Sequence, residues 1–211
     1  VTVSRRTFLS AASGLALTAG VFGITDARAQ SVNPEDLLKP GPLGDKSIGD
    51  ENAPVTIVEY ASMTCGHCAN FHNETYKELK KRYVDSGQVR FIFREFPLDA
   101  VASAAFMLAR CAPEDKYFDV VDIMFEQQRA WAYTENPYNA LLNFSKQIGF
   151  TQESFEQCLT NQDLLDAVNA VRERGSAEFG VTSTPTFFIN GDKHTGALSI
   201  EEMSKLIEEK L

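Results

Sequence analysis

The sequence is poor in cysteine and histidine, with four of the first and three of the second in 211 residues. Four thiols are too few to staple a small disulfide scaffold, and a chain of this length that is 44% apolar does not need staples to hold a core. It contains no second Cys-x-x-Cys and no His-x-x-x-His to complete a four-ligand zinc site, so neither metal nor cofactor is expected. Basic residues are also in deficit. The 20 Lys and Arg against 29 Asp and Glu give a net charge of −9, which argues against nucleic acid as a partner. Repeats and low-complexity tracts are absent. What remains is one domain of ordinary size, with room for an inserted subdomain.

Residues 1–29 read as a signal peptide. Ser4-Arg5-Arg6-Thr7-Phe8-Leu9 is followed by a mild apolar run from Ala11 to Ile24 and by the small-x-small cleavage pattern Ala27-Arg28-Ala29, which predicts a mature start at Gln30. The run is shorter than the roughly 20 residues that a bilayer core demands, so no stable membrane insertion is expected. Its front end resembles a twin-arginine export signal; a general secretory signal is the alternative. Both routes lead to the periplasm, where disulfides persist. Without this segment's net +2, the remaining chain carries about −11.

Residues 30–50 carry Pro34, Pro40 and Pro42 and no sustained periodicity, so they read as an arm, too short for a dimerisation domain. A monomer is expected. Residues 51–97 hold a β-branched run from Val55 to Tyr60, a helical pattern from Cys68 to Tyr83 and a second strand from Val89 to Phe96. Residues 98–180 change to helical periodicity throughout. In residues 181–211 the strand signal returns at Thr186-Phe187-Phe188-Ile189, turns at Asn190-Gly191-Asp192 and continues near His194. Ser199 and Glu202 form a capping box opening a last helix from Ile200.

Chemistry concentrates at Cys65-Gly66-His67-Cys68, where the first strand runs into the first helix. A sulfur at a helix N-terminus meets unsatisfied N–H groups and the positive end of the dipole, which favour a thiolate. Cys65 is the expected nucleophile and Cys68 the resolving thiol, with the His67 imidazole adding stabilisation to the thiolate. A disulfide whose reduced form is stabilised in this way is an oxidant. Two readings compete on these residues alone, half of a zinc site and a short structural bridge. The missing ligands count against the first, and the small loop entropy of a four-residue closure against the second.

The order strand, Cys-x-x-Cys, helix, strand, helical block, Thr184-Pro185-Thr186, hairpin and final helix resembles the DsbA-like branch of the thioredoxin superfamily over residues 51–211. The resemblance implies an α/β thioredoxin fold with an inserted all-helical subdomain, and protein thiol-disulfide oxidoreductase activity. It also implies a cis Pro185 facing the sulfurs, with Thr184 before it, as the strand-like docking edge for substrate. Glu59, six residues before Cys65, falls where the superfamily keeps a buried acid able to relay a proton to Cys68. Similarity to alphaproteobacterial members implies a structural disulfide between Cys111 and Cys158. Gly66-His67 and Thr184 depart from the best-known pattern. His72 and His194 have no ligand partners at useful spacing and read as surface residues.

The leading function is an exported oxidase passing its disulfide to reduced exported proteins and regenerated by a redox partner. The alternatives are an isomerase or reductase, and a redox-inert holdase. The presence of both Cys65 and Cys68 argues against the holdase.

Overall fold

The computed structural model describes residues 31–211, so the expected signal peptide at 1–29 lies outside the described residues. Five strands, Lys46–Ile48 (β1), Val55–Ala61 (β2), Val89–Glu95 (β3), Thr186–Ile189 (β4) and Asp192–Thr195 (β5), form one mixed sheet in the order β1-β3-β2-β4-β5. β2 and β3 run parallel and every other pairing is antiparallel. This is the thioredoxin-like α/β arrangement, and its central strand leads straight into Cys65.

β2 reads as a nearly continuous apolar run because both of its faces are covered. Val58 and Tyr60 join one core with Ile92, Phe188, Phe179 and Val181. Ile57 and Ala61 join a larger one with Phe91, Phe93, Phe106, Phe125 and Phe155. The period-two alternation of a strand puts Glu59 on the same side as Ile57 and Ala61, between its register partners Phe93 and Phe187.

The expected helical insertion is present. Its helices are Ala100–Cys111, Tyr117–Glu126, Gln128–Trp131, Pro137–Gln147, Gln152–Leu159 and Gln162–Phe179. Asp99, Asn136, Thr151 and Asn161 cap four of them by accepting backbone N–H groups of the first turn. The longest packs against the sheet at Gly175, where a Cβ would come within 2.7 Å of the Tyr60 ring. Cys111 and Cys158 are bonded, tying Ala100–Cys111 to Gln152–Leu159. Ser199 and Glu202 form the expected capping box before Ile200–Glu208.

The segment read as an arm contains regular structure that the sequence pattern did not reveal. Pro34–Leu37 is a helical turn, and β1 pairs antiparallel with β3 at the sheet edge. Three residues are too few to show alternation. Arg94 anchors the segment: its guanidinium donates to both Asp45 carboxylate oxygens, to the Leu37 carbonyl and to the Tyr60 hydroxyl.

Among the described residues, no helix is long and apolar enough to cross a membrane.

Candidate active site

Cys65 occupies the N-cap position of the helix Gly66–Asn70, with extended backbone (φ −85°, ψ 119°). The strand-to-turn geometry is fixed locally: Cys65 N–H donates to the Ser62 carbonyl, and Ala69 N–H to the Cys65 carbonyl. Two contacts from the insertion complete the loop. The buried Gln128 amide donates to the carbonyls of Met63 (2.8 Å) and Cys65 (3.0 Å), and the Tyr133 hydroxyl donates to the Thr64 carbonyl (2.6 Å). Sequence reasoning missed both residues, because a side chain that holds a distant backbone carbonyl leaves no local pattern.

The two thiols are unpaired and sit in different surroundings. Cys65 is 9% exposed and Cys68 fully buried. The Cys65 thiol donates to the carbonyl of Thr184 at 3.3 Å, across a Thr184–Pro185 peptide bond that is cis. Its pKa is lowered to about 5. The Cys68 thiol's hydrogen bond is the largest cause, burial opposes it, and the Thr184 side chain and the backbone N–H groups of Cys68 and His67 add to the lowering. Cys68 is pushed the other way, first by burial, then by its hydrogen bond to Cys65 and by the charge of Glu59. His67 is exposed, and its backbone N–H acts on the Cys65 sulfur.

Glu59 is fully buried, and its Oε2 lies 2.9 Å from His72 Nε2. The surface reading of His72 is therefore corrected: it is 2% exposed, stacked on Phe125 at 4.3 Å between ring centroids. The cause is local. Residues 66–84 are helical, with π-helical turns at Phe71–Tyr76 and Lys80–Val84, and helical spacing puts His72 on the buried face with Cys68, Phe71, Thr75 and Tyr76. His194 is also not a free surface residue. It is half-buried on β5 opposite Phe187, and burial lowers its pKa. A groove of about 730 Å³ opens beside the dithiol, lined by Gly66, Asn70, Phe125, Gln128, Ala130 and Tyr133 among others.

Strand, dithiol at a helix N-terminus and facing cis-proline together define a thioredoxin-fold thiol-disulfide site. Comparisons with known proteins agree. The family described as thioredoxin matches residues 43–209. A putative protein-disulfide oxidoreductase of Rickettsia conorii is 34% identical over 169 residues, 79% of this chain and 60% of the relative. This chain thus spans about three fifths of the Rickettsia protein's length. Among solved structures, alpha-DsbA1 of Wolbachia pipientis is similar at TM-score 0.77 and 31% identity, covering 85% of this chain and 96% of that one. BdbD of Bacillus subtilis shares the fold at TM-score 0.69 and 21% identity, over 79% of this chain and 92% of that one. The chain belongs to the DsbA-like group of the thioredoxin family of protein-disulfide oxidoreductases.

Proposed function

We propose that the protein introduces disulfides into reduced proteins exported from the bacterial cytoplasm. In the oxidised enzyme a substrate thiolate attacks Cys65, forms a mixed disulfide and expels Cys68; a second substrate thiolate then attacks the substrate's own sulfur and releases Cys65 as a thiolate. Substrate docks at Thr184 and Pro185, beside the Cys65 sulfur, by strand-like pairing. His67 stands at the rim, and Glu59 exchanges a proton with Cys68. A membrane or soluble redox partner reoxidises the pair. The leader at 1–29, with its Arg5-Arg6 pair, delivers the chain to the periplasm.

The observation that carries this reading is the inequality of the two sulfurs. A thiol ionising near 5 stays a thiolate at neutral pH, so the reduced enzyme is stabilised by about 60 mV relative to a pair with ordinary thiols. Equilibrating the purified protein with glutathione buffers tests it. The expected potential is less negative than about −180 mV, and a value near −270 mV, typical of a reductase, contradicts the oxidase assignment.

A further inference from the structure

Beyond the dithiol, two buried ionisable groups are paired in a way that the thiol chemistry alone does not require, and each keeps one polar atom, Glu59 Oε1 and His72 Nδ1, without a hydrogen bond among the described residues. Glu59 and His72 are both buried, 2.9 Å apart, inside an aromatic box of Phe71, Phe93 and Phe125. On its other side, His72 Nδ1 lies 3.8 Å from Asp122 Oδ1, and the Asp122 side chain is 42% exposed. Cys68 precedes His72 by one turn on the same helical segment, and the Glu59 charge acts on its thiol. Burying a carboxyl and an imidazole in an apolar core is costly unless they are paired, and this pair leads outward to water.

We propose that His72 relays the proton that Cys68 takes up and gives back in each catalytic cycle, with Glu59 as the bridge to the sulfur and Asp122 as the contact with solvent. This rests on the reading that Glu59 exchanges a proton with Cys68. When a substrate thiolate attacks Cys65, a new S–S bond forms, the Cys65–Cys68 bond breaks, and Cys68 leaves with the electron pair. A thiolate at that buried position is unfavourable. The proton on His72 Nε2 moves to the Glu59 carboxylate, the carboxyl proton moves to Cys68, and the imidazole takes a replacement proton from solvent on its Asp122 side, so that it is charged again in the reduced enzyme. Reoxidation by the redox partner removes two electrons from the pair and reverses the flow: the Cys68 proton leaves through Glu59 and His72 to solvent. The titratable groups facing His72 are Glu59 from β2, Asp122 from Tyr117–Glu126 and the Tyr76 hydroxyl from its own helix; Phe93 of β3 contributes none. Burial and the Glu59 charge act in opposite senses on the imidazole, the Glu59 and Asp122 contributions prevail, and its pKa rises to about 9, so it holds its proton at neutral pH. Neither His72 nor Asp122 touches a sulfur; both act through Glu59.

The test is the rate at which glutathione reduces the oxidised protein between pH 5 and 10, corrected for the thiolate fraction of glutathione, in the wild type and in Glu59→Gln, His72→Gln and Asp122→Asn. The wild-type corrected rate should be flat up to about pH 9 and fall beyond it. Glu59→Gln and His72→Gln should lower the rate at pH 7 by about tenfold or more, and Asp122→Asn should move the break in the profile to lower pH. Alkylation of Cys65 in the reduced His72→Gln protein should proceed at the wild-type rate. A slow Glu59→Gln beside a wild-type profile in His72→Gln would leave the Glu59 reading intact and overturn the His72 relay. Wild-type profiles in both would overturn both. Should His72→Gln fail to fold, an unshifted profile in the surface variant Asp122→Asn overturns the proposal by itself.

Discussion

The Cys68 thiol, the Thr184 side chain and the backbone N–H groups of Cys68 and His67 favour a charged Cys65, while burial works against its ionisation. Only the Thr184 contribution can be deleted without touching the dithiol or the backbone. Thr184→Val should raise the Cys65 titration by about one pH unit, the equivalent of a hydrogen bond of roughly 1.4 kcal/mol. Iodoacetamide alkylation as a function of pH measures it, and an unmoved midpoint would remove the threonine from the account. At this scale the sequence is readable where chemistry and chain position coincide. Cys65 and Cys68 stand out because a strand runs into them and a helix leaves. Thr184 and Pro185 stand out only through family resemblance, since a proline before a strand carries no signal of which side-chain atoms it faces. His72 was invisible for a different reason. The surface reading rests on its lack of ligand partners, although helical spacing sets it four residues after Cys68 and four before Tyr76, on the same buried face.

The active-site loop belongs to the thioredoxin fold, yet an element of the insertion holds it in shape. Gln128, at the start of the short helix Gln128–Trp131, satisfies two carbonyls of the turn that presents Cys65. Gln128→Ala should destabilise the protein by about 1–3 kcal/mol, the cost of leaving buried carbonyls unpaired, with urea unfolding as the measurement. It should also lower the rate of substrate oxidation, because the loop loses its fixed geometry; full activity with wild-type stability would contradict the role. In the insertion only the helical periodicity was readable, and the boundaries of its helices are marked by caps such as Asp99 and Thr151. β1 was unreadable, since its three residues depend on the edge of β3 and on the Arg94–Asp45 ion pair for their conformation.

For the molecule as a whole, two long-range features separate stability from catalysis. The Cys111–Cys158 bond spans 47 residues of the insertion, far from the dithiol in sequence, and constrains the unfolded chain more than the folded one. Cys111→Ser should cost about 2–4 kcal/mol and lower the melting temperature while leaving the rate of thiol exchange at Cys65 unchanged. The buried His72 gives the fold a dependence on pH. Its folded pKa of about 9 exceeds the unfolded value near 6.5, so its stabilisation is fully present below about 6.5 and is lost as pH rises through 9. Chemical unfolding of the reduced protein across pH 6 to 10 should show that decline, and His72→Gln should flatten it. These effects surround a claim about one atom: the fold makes negative charge on the Cys65 sulfur more favourable than in water. Thiolate absorbance of the reduced protein, titrated with acid and compared with a Cys65→Ser variant, measures that directly. The account predicts a transition with its midpoint near pH 5, lost in the variant; a midpoint near that of a free cysteine, about 8.5, would contradict it.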